Sequence, residues 1–552
     1  MRFILATLII FAVLCAGCVK PPDDTGTAGG SGGTTAGAGG DQPAELPAEY
    51  RWPLHADAPT LDPIQITDTV SDTVAKRIFS TLVKFATDGT VINDLAEDWW
   101  ISEDGLEYHF KLREGVTFHN GEPLTAHDVA YSYTRLVDSE QPTKRHSLMT
   151  YVNGAMEFYA GEVDQVRGII VEDDHNIVLT LSGPYAPFIQ VLCMANFCVV
   201  PESVVEDDPE GFGAHPIGSG PFMFDSWERG ERITLVANPD YFKGAPKLER
   251  VTFMVFEDEK TRFENFKAGA LEHCDIPPSQ IQEVRGDPAL NALVQGEPAM
   301  DMYCYGFNCE QPPFKDNTAL RRALNYAVDK QNIIDNIWGG LVSLQQTFVP
   351  EGMFYFWDDS PGYPYDPEKA AQLLEQAGYP GGEGLEELVL NIDTPLTNKL
   401  VAQAVQEDLR QIGVTVRIEV TDWGSFLPKV YAGESLFFQN TWLGDYPDPD
   451  TWLYQLLHSD NFGELGNITR WGNSQFDRLV GMAQVEQDQA RRAELYLNAE
   501  KLAYDEAPWL MLFWKNSATL VQPYVRGLEI ARMDRTPQLN NAPLEQVWFE
   551  EP

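Results

Sequence analysis

"LEYHFKLREGVTFHNGEPLTAHDVAYSYTRLVDS", residues 106–139, joins a strand to a helix through a turn-rich loop. Apolar and polar residues alternate from Leu106 to Leu112, the pattern of a strand with one buried face. Thr125 then supplies an N-cap, with Asp128 three residues on as in a capping box. Val129, Tyr133 and Leu136 follow at helical spacing. A chain that changes period within so short a distance belongs to the mixed α/β class.

The same texture extends outward. "ERITLVANPDYF" (231–242) reads as a strand stopped by Asn238-Pro239. "DNTALRRALNYAVDKQNIIDNI" (316–337) reads as one amphipathic helix, with Leu320, Leu324, Ala327 and Ile334 on one face. "DPEKAAQLLEQAGY" (366–379) is a helix closed by Gly378. "NKLVAQAVQEDLRQIGVTVRIEVTDW" (398–423) runs helix, Gly413 cap, then the alternating strand Val414 to Val420. No internal repeat is present, which argues for several α/β domains rather than a barrel of even units.

At 552 residues the chain has room for roughly two to four domains. Apolar residues at 43% suffice for real cores. A net charge of −44 with no basic stripe argues against nucleic acid as a partner. The sequence contains no G-x-S-x-G elbow, no H-E-x-x-H and no G-x-x-x-x-G-K-[ST] phosphate loop. With 83 acidic residues, chance carboxylate pairs carry no weight as a glycosidase signal, and the expected class is a binder, not an enzyme.

The N-terminus "MRFILATLIIFAVLCAGC" has Arg2, an apolar run from Phe3 to Leu14, then Ala16 and Gly17 before Cys18. That run is shorter than the about 20 residues a membrane span needs, so 1–17 reads as a signal peptide. It resembles a bacterial lipobox with Cys18 as the lipidated residue, except that Cys15 stands where leucine is usual. A plain secretory signal is the alternative. Residues 18–49 then form a Gly/Thr/Ala/Pro tether with a span of roughly 30 Å, placing a folded body outside the cell membrane on a lipid anchor.

Beyond Cys18 stand Cys193, Cys198, Cys274, Cys304 and Cys309. Export permits disulfides, but an odd number leaves at least one thiol unpaired within the chain. "CMANFC" allows a small loop between Cys193 and Cys198. Cys304 and Cys309 would lie about 16 Å apart in an extended chain and do not suit a bridge. Their spacings match no zinc pattern, so no metal and no cofactor is expected.

Five segments, in order, carry a resemblance. They are "LREGVTFHNGEPLTAHDVAYSYTRL" (112–136), "GSGPFMFDSWERGERITLVANPDYFKG" (218–244), "FKAGALEHCDIPPSQ", "FNCEQPPFKDNTALRRALNYAVDK" and "WLGDYPDPDTWL". Together they resemble the extracytoplasmic solute-binding proteins of family 5, which deliver peptides, and sometimes nickel or oligosaccharides, to ATP-binding-cassette importers. The likeness runs from about residue 50 to the C-terminus. It implies a bilobal periplasmic-binding-protein type II fold with an extra peripheral domain and two hinge strands. Lobe I would comprise 50–79, 191–302 and 511–552, the peripheral domain 80–190, and lobe II 303–510. The hinge crossings would lie near "MYCYGFN" and "LMLFWKN". Such a protein is a monomer that shuts on its ligand and presents it to permease subunits; the same fold can also serve a signalling partner.

The resemblance also implies a site. In "TWLGDYPDPDTW" (441–452), Asp445 matches the aspartate that pairs with a peptide's α-ammonium in peptide-binding members, with Trp442 as an apolar wall and Tyr446 beside it. Burying an ammonium requires such a counter-charge. Asp448 and Asp450, each after a proline, read as turn residues, and Pro447 and Trp452 exclude a calcium loop. Thr67, Asp68 and Thr69 match the loop at the cleft mouth, and Trp423 lies in a segment that borders it or packs in the core. Dipeptide-binding relatives carry an arginine for the ligand carboxylate where this chain has Lys399, a point charge without a planar fork. That departure leaves longer peptides open. An oligosaccharide stacked on Trp423, Trp442 and Trp452 is the competing ligand class, with a nickel chelate behind it.

Overall fold

The computed structural model describes residues 46–551, apart from 142, 144, 297, 517, 532–538 and 540. The signal segment 1–17, Cys18 and all of the tether up to residue 45 lie outside the described residues.

Tyr50–Leu54 opens the first sheet, running parallel to Arg250–Val255. That strand pairs antiparallel with Arg232–Ala237, which pairs in turn with Phe222–Glu228. Alternation buries Trp52, Ile233, Leu235, Val251 and Phe253 completely on the side of the helix Thr69–Ile78. Asp68 starts that helix by accepting the amides of Val70 (3.0 Å) and Ser71 (2.8 Å).

The segment 106–139 folds as its pattern predicts. Glu107–Leu112 is the second strand of an antiparallel sheet with Ala96–Ile101, Asn176–Thr180 and Ile169–Asp173. Ala126–Arg135 is the helix, and Thr125 and Asp128 form the reciprocal capping box.

A six-stranded sheet occupies the remainder, in the order Val342–Leu344, Trp509–Asn516, Pro298–Phe307, Phe437–Leu443, Leu388–Ile392, Val416–Val420. Two of its strands leave it. Pro298–Phe307 follows Val294–Gln295, and Trp509–Asn516 precedes Thr519–Val521; those short strands pair with each other, the latter also with His273–Asp275. The chain therefore passes twice between the two sheets on antiparallel neighbours, Cys304 opposite Met511 and Tyr305 opposite Leu510. Met302 to Cys304 and Trp509 to Phe513 are wholly buried, the unbroken apolar run of strands covered on both faces. One apolar core joins residues of 82–199 to those of 300–514, while 50–79, 195–253 and 521–547 contribute to another.

One expectation fails, and one open question is answered. Residues 316–337 form two helices, Thr318–Ala327 and Lys330–Asn336, because Val328 is extended (φ −96°, ψ 124°) and Asp329 caps the second by accepting the Asn332 amide at 3.0 Å. Lys330 is drawn inside, donating to the carbonyls of Asn325 (2.6 Å) and Tyr363 (2.8 Å). Cys193 and Cys198 do not bridge: all five described cysteines are free thiols, and burial pushes both of these thiol pKa values up. Among the described residues, no helix is long and apolar enough to cross a membrane.

Candidate functional site

Phe437–Leu443 organises the site. Its side chains alternate, so Gln439, Thr441 and Leu443 share one face, and Trp442 takes the other. The first face runs along two cavities. One, of about 130 Å³, is lined by Thr67, Asp68, Thr69, Arg145, Asn196 and Asp445. The other, of about 290 Å³, is lined by Glu259, Asp301, Asp393, Gln439, Thr441 and Lys515 among others.

Asp445 is held from behind. Its amide donates to Thr451 Oγ1 at 3.1 Å, while its carboxylate receives only long contacts. Gln455 Nε2 lies 3.4 Å from Oδ2 and Arg145 Nη1 lies 4.0 Å from it. The side chain keeps 24% of its surface exposed. A carboxylate so placed has room for a closer cationic donor.

In the larger cavity, Lys515 lies 3.4 Å from Asp301, and Arg262 holds Asp275 through two bonds of 3.0 Å. Asp393 accepts from Asn398, and its amide donates to Gln439 Oε1 at 3.3 Å. Burial raises the carboxyl pKa of Asp393 and of Glu259. This end of the cleft is acidic, so it suits a neutral or cationic group better than a carboxylate.

A buried network fixes the loop that carries Asp445. Asp448, fully buried, meets Arg492 at 2.7 and 2.8 Å, and its Oδ1 accepts the Asp450 amide at 3.0 Å. Asp450 accepts the hydroxyls of Tyr446 (2.9 Å), Tyr185 (3.2 Å) and Tyr496 (3.4 Å). Burial, reinforced by the Asp448 charge, pushes the Asp450 carboxyl up to about 6. Asp450 opens the helix Asp450–Leu457, and Tyr185 ties that helix to the 80–190 segment.

Four of the expected site residues thus come together: Thr67, Asp68, Thr69 and Asp445. Tyr446 does not line the cavity; it is 2% exposed and its hydroxyl is spent on Asp450. Trp442 packs against the apolar core on the far face of its strand, which removes it as a wall. Lys399 is exposed on the helix Leu396–Gln411, whose residues Thr397 and Asn398 line the larger cavity. Trp423 is 52% exposed and stacks on Phe426, so it is not core. Asp448 and Asp450 fix the loop, though by burial rather than as a surface turn. The carboxylates of the larger cavity and Arg145 have no motif in the sequence that names them. Only the basic run "KRH" in an acidic chain marks Arg145.

The model of the bacterial extracellular solute-binding proteins, family 5, matches residues 90–464. The chain belongs to this family, and its fold is the bilobal α/β architecture of the type II periplasmic binding proteins. It is 32% identical to heme-binding protein A of Haemophilus influenzae over 82% of this chain and 84% of that protein. To the dipeptide-binding protein of Escherichia coli it is 28% identical, over 83% and 88%. Among solved structures, the periplasmic binding protein DppA of Helicobacter pylori in complex with the peptide STSA superposes with a TM-score of 0.77. That pair is 26% identical, covering 91% of this chain and 98% of the other.

Proposed function

We propose that this protein is the ligand-capturing component of an ATP-binding-cassette importer and that it binds peptides by their free amino end. The observation that carries this reading is the Asp445 carboxylate, part-exposed with only long contacts, facing the loop 67–69 across a cavity. A peptide ammonium placed there would gain a short charge-assisted bond in a site from which lobe closure expels water. Thr67 and Thr69 would border the first residue, and the chain would continue along Thr441 and Gln439 toward the larger cavity. An extended peptide rises about 3.3 Å per residue, so following this strand favours ligands longer than a dipeptide. The peptide-binding relatives support the ligand class.

The domain division follows the same reading. Residues 50–79, 191–302 and 511–552 would form lobe I, as supported by the sheet of Tyr50–Leu54 and the three-stranded sheet of Thr519–Val521. Residues 80–190, with their own antiparallel sheet, would be the peripheral domain, and 303–510 lobe II. Cys18 would carry the lipid anchor, and a monomer would meet the permease subunits in the membrane.

Mass spectrometry of material released from the purified, denatured protein tests the ligand class. The expected result is a set of peptides of several residues. Recovery of a sugar, a haem or a nickel chelate instead overturns it.

A further inference from the structure

Arg145 is held at the edge of the amine cavity by hydrogen bonds to described neighbours. Thr143 Oγ1 donates to the carbonyl of Ile64 and accepts the Arg145 amide at 3.0 Å. The Arg145 carbonyl accepts from Leu148 at 3.0 Å, and its Nε reaches the carbonyl of Ile66 at 3.4 Å. The guanidinium thus faces Asp445 at 4.0 Å from a different part of the chain, with 27% of its side chain exposed.

The other charged groups of that cavity are engaged. Lys76 meets Asp72 at 3.2 Å and donates to Asn541 at 3.0 Å. Asp68 serves as the helix cap described above. Arg145 and Asp445 remain as an opposed pair held at long range in a space of about 130 Å³.

We propose that Arg145 selects the first residue of the ligand, favouring an acidic side chain and rejecting a basic one. The inference rests on the amine anchor at Asp445. The α-ammonium at Asp445 meets the same guanidinium in every peptide, a cost common to all of them that Asp445 offsets, so peptides differ only in how their first side chain meets the guanidinium a few ångströms away. A carboxylate there restores a planar, two-bond partner for the guanidinium. A second ammonium meets like charge, and at an effective dielectric of about 20 such repulsion at roughly 5 Å is worth on the order of a hundredfold in affinity.

The test is calorimetry on the full chain, freed of endogenous ligand, with tetrapeptides that differ only at residue one: glutamate, alanine or lysine. The glutamate peptide should bind on the order of a hundredfold more tightly than the lysine peptide, and a native ratio below about tenfold overturns the proposal. In Arg145→Gln that ratio should fall to about twofold, and in Arg145→Lys, which keeps the charge, it should stay largely intact. An unchanged ratio in Arg145→Gln overturns the role of Arg145. N-acetylated peptides separate the two layers: if acetylation costs nothing in the native protein, the amine anchor itself fails. If acetylation is costly and the ratio ignores Arg145, only the present inference fails.

Discussion

Replacing Arg492 by methionine should unsettle the ligand loop from beneath. Arg492 makes two bonds to fully buried Asp448, one of 2.9 Å to the Ala483 carbonyl and one of 3.1 Å to the Tyr496 hydroxyl. Methionine fills much of the volume and leaves the Asp448 carboxylate buried without its partner, a loss worth about 3–5 kcal/mol. Unfolding entropy of about 2.1 cal/mol/K per residue, over roughly 500 residues, makes 1 kcal/mol equal to about 1 °C. Differential scanning calorimetry should therefore record a fall of about 3–5 °C. Peptide affinity should fall too, because Asp448 holds the Asp450 amide that begins the helix behind Asp445. The double variant Asp448→Leu with Arg492→Met, which removes both charges, should recover part of the loss, the remainder being the Asp450 amide left without its Oδ1 acceptor. A single variant within 1 °C of the native protein, or a double variant no better than the single, would rule out a buried Asp448–Arg492 pair as the support of the loop.

Three further outcomes follow from the same geometry. Asp450 titrates near 6 in the folded chain against an ordinary 3.8, so folding binds its proton more tightly and its contribution to stability declines as pH rises from about 4 through 6. Asp450→Asn should flatten that decline by roughly 3 kcal/mol in pH-dependent unfolding, and parallel profiles would sink the assignment. A Cβ at Gly444 would sit 2.4 Å from the Trp452 ring, so Gly444→Ala should cost about 1–3 kcal/mol and weaken peptide binding by tilting Asp445; calorimetry showing neither effect speaks against the tight loop. Lys399→Ala should leave peptide affinity within about twofold, since the side chain is exposed outside both cavities; a tenfold loss would restore it to the site.

Local features were legible wherever the signal is short-range. The Thr125–Asp128 box, the Gly378 and Gly413 helix ends and the alternating strands depend on neighbours in sequence, and the chain displays them directly. The break at Val328 was hidden because Asp329 competes as a cap inside an otherwise good apolar stripe. In the site, Asp445 and the 67–69 loop could be named from the resemblance, but side-chain direction could not. Trp442 and Tyr446 flank the anchor in sequence, yet strand alternation and the Asp450 network turn both inward. Arg145 and Asp445 are separated by a long stretch of chain, and only the packing of the 80–190 segment against the ligand loop brings them together.

The decisive measurement is the affinity of one tetrapeptide, free and N-acetylated, for the native protein and for Asp445→Asn. A buried charge pair of about 2–5 kcal/mol predicts that acetylation weakens native binding at least about thirtyfold. In Asp445→Asn the free peptide should bind no better than its acetylated form. Equal affinities of both peptides for the native protein would contradict an amine anchor at Asp445.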